Sequence, residues 1–270
     1  MRRRLFRGHA VAFAVVLLGI QTVATDMKAG GPLSRIRVVL LRPSHPGNIG
    51  AAARAMKTMG LTQLRLVRPK RFPHPDARAM ASGAADLLEA ARACASLEEA
   101  LAGTTYSVAL SARERELSHS ALDARAAARE LMGVARKDEV AVVFGSETAG
   151  LSNRDIMTCS ALARIPANAE YPSLNLAQAV QVIAYELRMA AQAPPAAPAS
   201  TGCATHEDIE ELFAHLERSL RASGYLHPRH PRKLMDRLRR LFAKARLERV
   251  EVNILRGMLA AWHERSPPRK

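Results

Sequence analysis

Three short polar clusters in this chain carry side chains that could do chemistry. The first is Asn48-Ile49-Gly50, followed four residues on by Arg54; the second is Gly145-Ser146-Glu147, closed by Gly150 and Leu151; the third is Ser173-Leu174-Asn175. Together they offer a guanidinium that stays charged at any working pH, two amides, two hydroxyls and a carboxylate. Such a set can bind and orient a hydroxyl, steady developing negative charge and hold a polar ligand against glycine backbone. It lacks the ligand pattern of a metal site. Each cluster also has a plainer reading: a capped helix with a solvated arginine, a surface turn, and two residues of helix-capping type.

The elements around the clusters favour the chemical reading. Ile36–Leu41 (IRVVLL) is a continuous apolar run that reads as a buried strand, and the helix predicted over Asn48–Met59 follows it, ended by Gly60. Gln63–Val67 reads as the second strand, Pro69–Pro75 as a basic, turn-rich loop, Asp76–Ala93 as an alanine-rich helix and Leu97–Ala102 as a shorter one. Tyr106–Leu110 is a strand entering the loop Ser111–Leu117, Asp123–Ala135 a helix, Glu139–Phe144 and Ala161–Ile165 strands, and Leu176–Ala191 a helix. Strands alternating with helices predict an α/β domain, a largely parallel sheet with flanking helices, over residues 36–193. Each cluster then falls at a strand–loop–helix junction, where α/β proteins keep their ligands because loop amides and helix N-termini are free.

Residues 194–204, rich in Pro, Ala and Ser, read as a linker, and residues 205–263 as a small all-helical domain with a basic tail over 264–270. Thr205 and Asp208 have capping-box spacing. Amphipathic repeats then mark helices around Leu212–Leu220, Leu234–Ala245 and Val250–Leu259, with Gly224 closing the first.

The 270 residues carry a formal net charge of +15, with a pI near 10.7, which predicts a polyanionic partner, most simply nucleic acid. Arg232, Lys233, Arg237, Arg239, Arg240, Lys244 and Arg246 cluster in the helical region as a candidate phosphate-binding patch. Cys94, Cys159 and Cys203 share no metal-ligand or disulfide spacing. The absence of GxGxxG, GxxxxGK[ST], HExxH and GxSxG argues against an ordinary dehydrogenase, kinase, zinc protease or serine hydrolase.

The segments RPSHPGNIGAAARAMKTMGL, VVFGSETAGLSN and IPANAEYPSLNLAQAVQVIAYELRMA, in this order and spacing, resemble the three motifs of the SPOUT class of RNA methyltransferases, in its SpoU (TrmH-like) ribose branch. HPRKLMDRLRRLFAKAR and NILRGMLA resemble the C-terminal extension of its members that methylate nucleotide 32, C or U, in the tRNA anticodon loop. The likeness runs from about Ile36 to Ala261. It implies a trefoil-knotted sheet, S-adenosyl-L-methionine as cofactor, tRNA as substrate, a homodimer, and a cytoplasmic protein with no stable membrane association. It also implies that cofactor loops fall on Leu110, Ser111, Ala112, Gly145, Ile165, Ser173 and Leu174. The catalytic arginine falls on Arg54, and the other site residues on Asn48, Glu147, Ser173 and Asn175. Pro172, beside the cofactor loop, is a local departure that stiffens it.

Residues 1–35 stand outside the resemblance. Met1–Arg7 is basic and His9–Ala24 nearly all apolar, the layout of a signal peptide and short for a membrane span. An export or anchoring signal competes with a start-site artefact in which translation begins at Met27; a downstream RNA enzyme favours the second. Two functional rivals accompany the main reading. One is a ribosomal RNA ribose methyltransferase of the same fold, against which the C-terminal extension argues. The other is a catalytically silent RNA-binding protein on the same scaffold, against which Arg54 and Asn48 argue.

Overall fold

The computed structural model describes residues 30–112, 121–192, 202–227 and 233–265. The N-terminal segment 1–26, most of the linker, Arg232 and the basic tail beyond Arg265 lie outside the described residues.

Seven strands form one sheet: β1 (Ile36–Leu41), β2 (Gln63–Val67), β3 (Arg92–Cys94), β4 (Tyr106–Leu110), β5 (Leu122–Asp123), β6 (Val140–Phe144) and β7 (Ala161–Arg164). Their order is β3-β2-β1-β6-β4-β7-β5, and every pairing is parallel. The helices are α1 (Pro46–Met59), α2 (Pro75–Ala81), α3 (Ala85–Glu89), α4 (Leu97–Leu101), α5 (Ala124–Ala135), α6 (Asn153–Thr158), α7 (Leu176–Gln192), α8 (His206–Ala222), α9 (Leu234–Ala245) and α10 (Arg249–Arg265).

Alternation along the strands builds a core on each face of the sheet. Ile36, Val38 and Leu40 point into one layer with Ile49, Met56, Leu131, Ile183 and Leu187 of α1, α5 and α7. Val39 and Leu41 point into the other with Leu97, Leu101, Ile156 and Leu162. A parallel sheet covered on both faces leaves its carboxyl edge free for loops. The chain runs outward from β1 to β2 and β3, then resumes at β4 on the far side of β6. The crevice around β1, β6 and β4 is therefore the topological switch point where ligands bind in open α/β sheets. The knot implied by the resemblance depends on how the chain passes the connection between β4 and β5, and residues 113–120 of that connection lie outside the described residues.

Several sequence expectations need correction. The helix expected over Asp76–Ala93 is broken: α2 ends at Ser82, whose φ of +51 no helix accepts, a 3-10 turn follows over Ser82–Ala84, and Arg92–Cys94 is an edge strand beside β2. Sheet pairing and burial of Cys94 overrule the helix propensity of the alanines there. The short elements α6 and β5 were not anticipated. Helix α1 begins at Pro46 rather than Asn48, because His45 is extended and Pro46 fits the first helical position, so Asn48 sits inside the first turn. Gly50 serves a helix–helix contact rather than a bend or a ligand: a Cβ there would meet the Ala77 carbonyl oxygen at 2.0 Å.

The C-terminal helices form a third core of Ala204, Leu212, Val252 and Leu259. Thr205 and Asp208 make the anticipated capping box. The end of the expected linker belongs to this packing, since Cys203 bridges Glu248 and the buried Ala204 donates its N–H to Leu247 at 3.0 Å. The module is tied to the amino end of β4. His206 donates its backbone N–H to Thr104 (2.8 Å), Gly103 donates to the Glu207 carboxylate (2.7 and 3.0 Å), and Arg246 pairs with Glu130.

Candidate functional site

Four loops at the carboxyl edge of the sheet converge. The loop after β1 brings Ser44, His45 and Asn48; that after β6 brings Gly145 to Gly150; Leu110, Ser111 and Ala112 leave β4; and the stretch after β7 runs from Ile165 through Pro172 to Asn175.

Glu147 is the hub. Its Oε2 accepts the backbone N–H of Ser44 (2.8 Å) and the Ser44 hydroxyl (2.7 Å); its Oε1 accepts the Asn48 side-chain amide (2.9 Å) and the His45 N–H (3.2 Å). Partial burial pushes this carboxyl up, but the hydrogen bonds from Asn48 and Ser44 together outweigh it and hold the group down at about 2. Glu147 is thus an anion whose lone pairs are engaged. A carboxylate only accepts, so Asn48 must turn its NH₂ to Glu147 and its oxygen away, and that oxygen accepts the Asn175 amide at 3.0 Å. Asn175 Oδ1 in turn caps α7, accepting from Ala177 (2.9 Å) and Gln178 (3.4 Å). One directional chain, Asn175 to Asn48 to Glu147, joins all three sequence clusters. Of the two capping candidates, Asn175 caps, while Ser173 is exposed on the cavity rim.

Beside this chain lies a cavity of about 190 Å³. Leu110, Ser111, Ala112, Gly145, Ile165, Ser173 and Leu174 all line it, with Glu147 and Pro172. Gly145 is required by close approach: a Cβ on it would stand 2.2 Å from the Gly150 carbonyl carbon and 2.5 Å from the Leu151 nitrogen. The turn it abuts is closed by the Gly150 N–H to the Ser146 carbonyl (2.9 Å), with Gly150 at φ +66. Main chain rather than side chain therefore forms that wall, and the cradle fits a ligand with an apolar body and polar ends.

Arg54 is exposed on α1 and makes no hydrogen bond or ion pair with any described residue. Six residues beyond Asn48, it lies about 9 Å further along the helix and on a different face. Within one chain it is thus apart from the Glu147 chain.

Sequence reasoning missed two contributors. Ser44 is the first. The second is the pair Arg42–Asp155: Arg42, at φ +53, donates from Nη2 to Asp155 Oδ2 at 2.7 Å, fastening the loop after β1 to α6. Asp155 is also the third residue of a capping box with Ser152. The Ser-x-x-Asp spacing at 152–155 was a legible signal for that helix start.

In the basic patch, Arg239 pairs with Glu210 (2.5 and 2.8 Å) and lies 4.4 Å over the Phe213 ring, while Arg246 pairs with Glu130 and lies 5.0 Å over Tyr106. These two guanidiniums hold the module together and onto the sheet domain. Lys233, Arg237, Arg240 and Lys244 have no partner among the described residues; Arg232 lies outside them. Tyr106 donates its hydroxyl to Glu130 at 2.6 Å, and burial pushes its phenol well above the usual range.

Comparison with known proteins bears on both parts of the chain. The model of the SpoU rRNA Methylase family matches residues 35–185, and a model described as the tRNA methyltransferase TrmJ C-terminal domain matches residues 207–269. The chain is 49% identical over 239 residues to the tRNA (cytidine/uridine/adenosine-2′-O-)-methyltransferase TrmJ of Pseudomonas aeruginosa, covering 84% of this chain and 93% of that protein. It is 47% identical over 235 residues to the tRNA (cytidine/uridine-2′-O-)-methyltransferase TrmJ of Cronobacter sakazakii, covering 85% and 96%. The crystal structure of TrmJ from Z. mobilis superposes with a TM-score of 0.75 at 34% identity, covering 84% of this chain and 98% of that one.

Proposed function

The chain belongs to the SpoU rRNA Methylase family, and from that premise we propose that it methylates the ribose 2′-hydroxyl of nucleotide 32, C or U, in the tRNA anticodon loop, using S-adenosyl-L-methionine. One observation carries the reading. The seven residues expected at the cofactor line one cavity, and the Asn175–Asn48–Glu147 chain stands at its mouth. The relatives support tRNA as substrate, because the likeness includes the C-terminal helices as well as the catalytic domain.

When bound, S-adenosyl-L-methionine supplies a methyl on a sulfonium that departs as a neutral thioether. The chain's own residues do the rest. The backbone at Gly145 and the loops at Leu110–Ala112 and Ser173–Leu174 hold the donor and exclude water from its methyl. Asn48, Ser173 and Asn175 orient the ribose and its loop. Glu147, ionised and saturated with donors, fixes the loop after β1 rather than exchanging a proton. Arg54 remains protonated, so it acts as a charge that stabilises the developing alkoxide, or binds the adjacent phosphate that takes the 2′-proton.

Arg54 stands apart from the cavity of its own chain, which supports a homodimer in which it completes the site of a second copy. Met80, Tyr185 and Met189, all about half exposed, lie on α1's packing partners α2 and α7 and suit a buried interface there. The reading divides the chain into a methyltransferase domain over 36–193 and an RNA-binding helical domain over 205–263. It places the enzyme with tRNA in the cytoplasm; among the described residues no helix is long and apolar enough to cross a membrane.

The test is methyl transfer from labelled donor to tRNA transcripts, followed by ribose-methylation mapping. The expected product is a single 2′-O-methyl at nucleotide 32, lost in Arg54→Ala. Donor binding without transfer to any tRNA would favour the silent RNA-binding scaffold, and transfer to ribosomal RNA alone would favour the other rival.

A further inference from the structure

We propose that the loop over residues 68–75, at the carboxyl end of β2, is a second RNA-docking surface that grips phosphates beside the reaction site. The proposal rests on the tRNA reading above and adds where the RNA backbone is held. The loop reads Arg-Pro-Lys-Arg-Phe-Pro-His-Pro. Because β2 pairs in parallel with β1, this loop and the Ser44–Asn48 loop leave the same edge of the sheet from adjacent strands. They are tied backbone to backbone: Lys70 donates its N–H to Pro43 at 3.1 Å, and Arg42 donates its N–H to Val67 at 2.7 Å. A phosphate held at Lys70 or Arg71 is therefore a near neighbour of the loop that carries Asn48.

The cations of this region divide into two sets. Arg42 pairs with Asp155, Lys57 with Asp86 and Arg78 with Glu89, and Arg68 donates to the Ala95 carbonyl. Lys70 and Arg71 are exposed and have no hydrogen bond or ion pair with any described residue. Two adjacent cations left unneutralised, where their neighbours all have partners, suit a polyanion. Pro69, Pro73 and Pro75 restrict the loop's backbone, so little conformational freedom is lost when it binds.

The position of the helical module makes such a surface necessary. That module is fastened at Gly103–Tyr106, the amino end of β4, whereas the cofactor cavity begins at Leu110, its carboxyl end. A five-residue strand separates the two edges by roughly 16 Å. The free cations of α9 thus belong to an element seated at the edge remote from the reaction site of the same chain. Lys70 and Arg71 are free cations on the near edge.

The experiment compares the full-length protein with the double variant Lys70→Ala, Arg71→Ala and the charge-keeping double variant Lys70→Arg, Arg71→Lys. It measures tRNA affinity across a salt series, kcat and KM for tRNA, and donor affinity by calorimetry. The alanine pair should lower the salt slope of log affinity by roughly one unit per lost contact. KM for tRNA should rise about tenfold, with kcat within about twofold and donor affinity unchanged, and the charge-keeping pair should behave as wild type. An unchanged slope and KM in a folded alanine variant overturns the proposal, as does a loss confined to kcat. Failure of the wild-type protein itself to bind tRNA would overturn the functional reading instead.

Discussion

Ser44 donates both its backbone N–H, at 2.8 Å, and its hydroxyl, at 2.7 Å, to the same carboxylate oxygen of Glu147, 103 residues away. With Asn48 and His45 on the other oxygen, four donors surround one anion. The loop after β1 and the loop after β6 are thus locked to each other through a side chain that has no lone pair left for acid–base work. The local order of the site depends on this clamp.

Glu147 should titrate near 2, far below the 4.5 of a free glutamate. A depressed folded-state value means that the clamp adds stability above pH 4.5 and loses it as the pH falls from there through about 2. Carboxyl-carbon NMR of the labelled protein measures this directly, and a midpoint near 4.5 would show that the donors do not hold the anion. Glu147→Gln turns N–H groups toward N–H groups, so methyl transfer should fall by about tenfold to a hundredfold.

Arg54→Ala should abolish detectable transfer, with kcat down by roughly a hundredfold or more, because a fixed positive charge near a developing alkoxide is removed. Donor affinity should stay near wild type, since Arg54 lies outside the cavity lining. Single-turnover kinetics beside calorimetric titration separates the two effects. If Arg54 completes the site of a second copy, mixing Arg54→Ala with a Gly145→Ala variant should restore part of the activity through mixed dimers.

Gly145→Ala should weaken donor binding and destabilise the fold by about 1–3 kcal/mol, because the added methyl drives into main chain that no rotamer change can move. Thermal melting and donor titration report both losses. Gly133→Ala, in open space on α5, is the matched control and should be neutral or slightly stabilising.

Truncation near Pro198 should weaken tRNA binding and flatten its salt dependence, while the remaining sheet domain still binds the donor. The slope should fall by at most about four units, one for each of Lys233, Arg237, Arg240 and Lys244. Arg246→Ala should act differently: the exposed pair with Glu130 contributes under about 1 kcal/mol, yet its loss should free the module from β4 and raise its protease sensitivity. A salt slope that survives truncation unchanged would mean that the helices serve packing or dimerisation instead.

Much of this protein is legible in its residue order because the information is local. The β-branched run at Ile36–Leu41, the apolar spacing of Leu176–Gln192 and the Thr205–Asp208 capping box each specify an element within a few residues of themselves. Gly145 and Ser173 likewise stand out by their places after strands. What the sequence withheld is of another kind. Arg92–Cys94 becomes a strand only because β2 offers an edge, against its own alanine-rich context. Gly50 is explained by Ala77 of a different helix. Ser44 gains a role only when Glu147 arrives beside it, and Arg239 and Arg246, alike in the sequence to their free neighbours, are engaged by Glu210 and Glu130. Hydrogen bonds and ion pairs act over about 3 Å, so which charge is satisfied and which remains free is decided by chain packing, not by residue type.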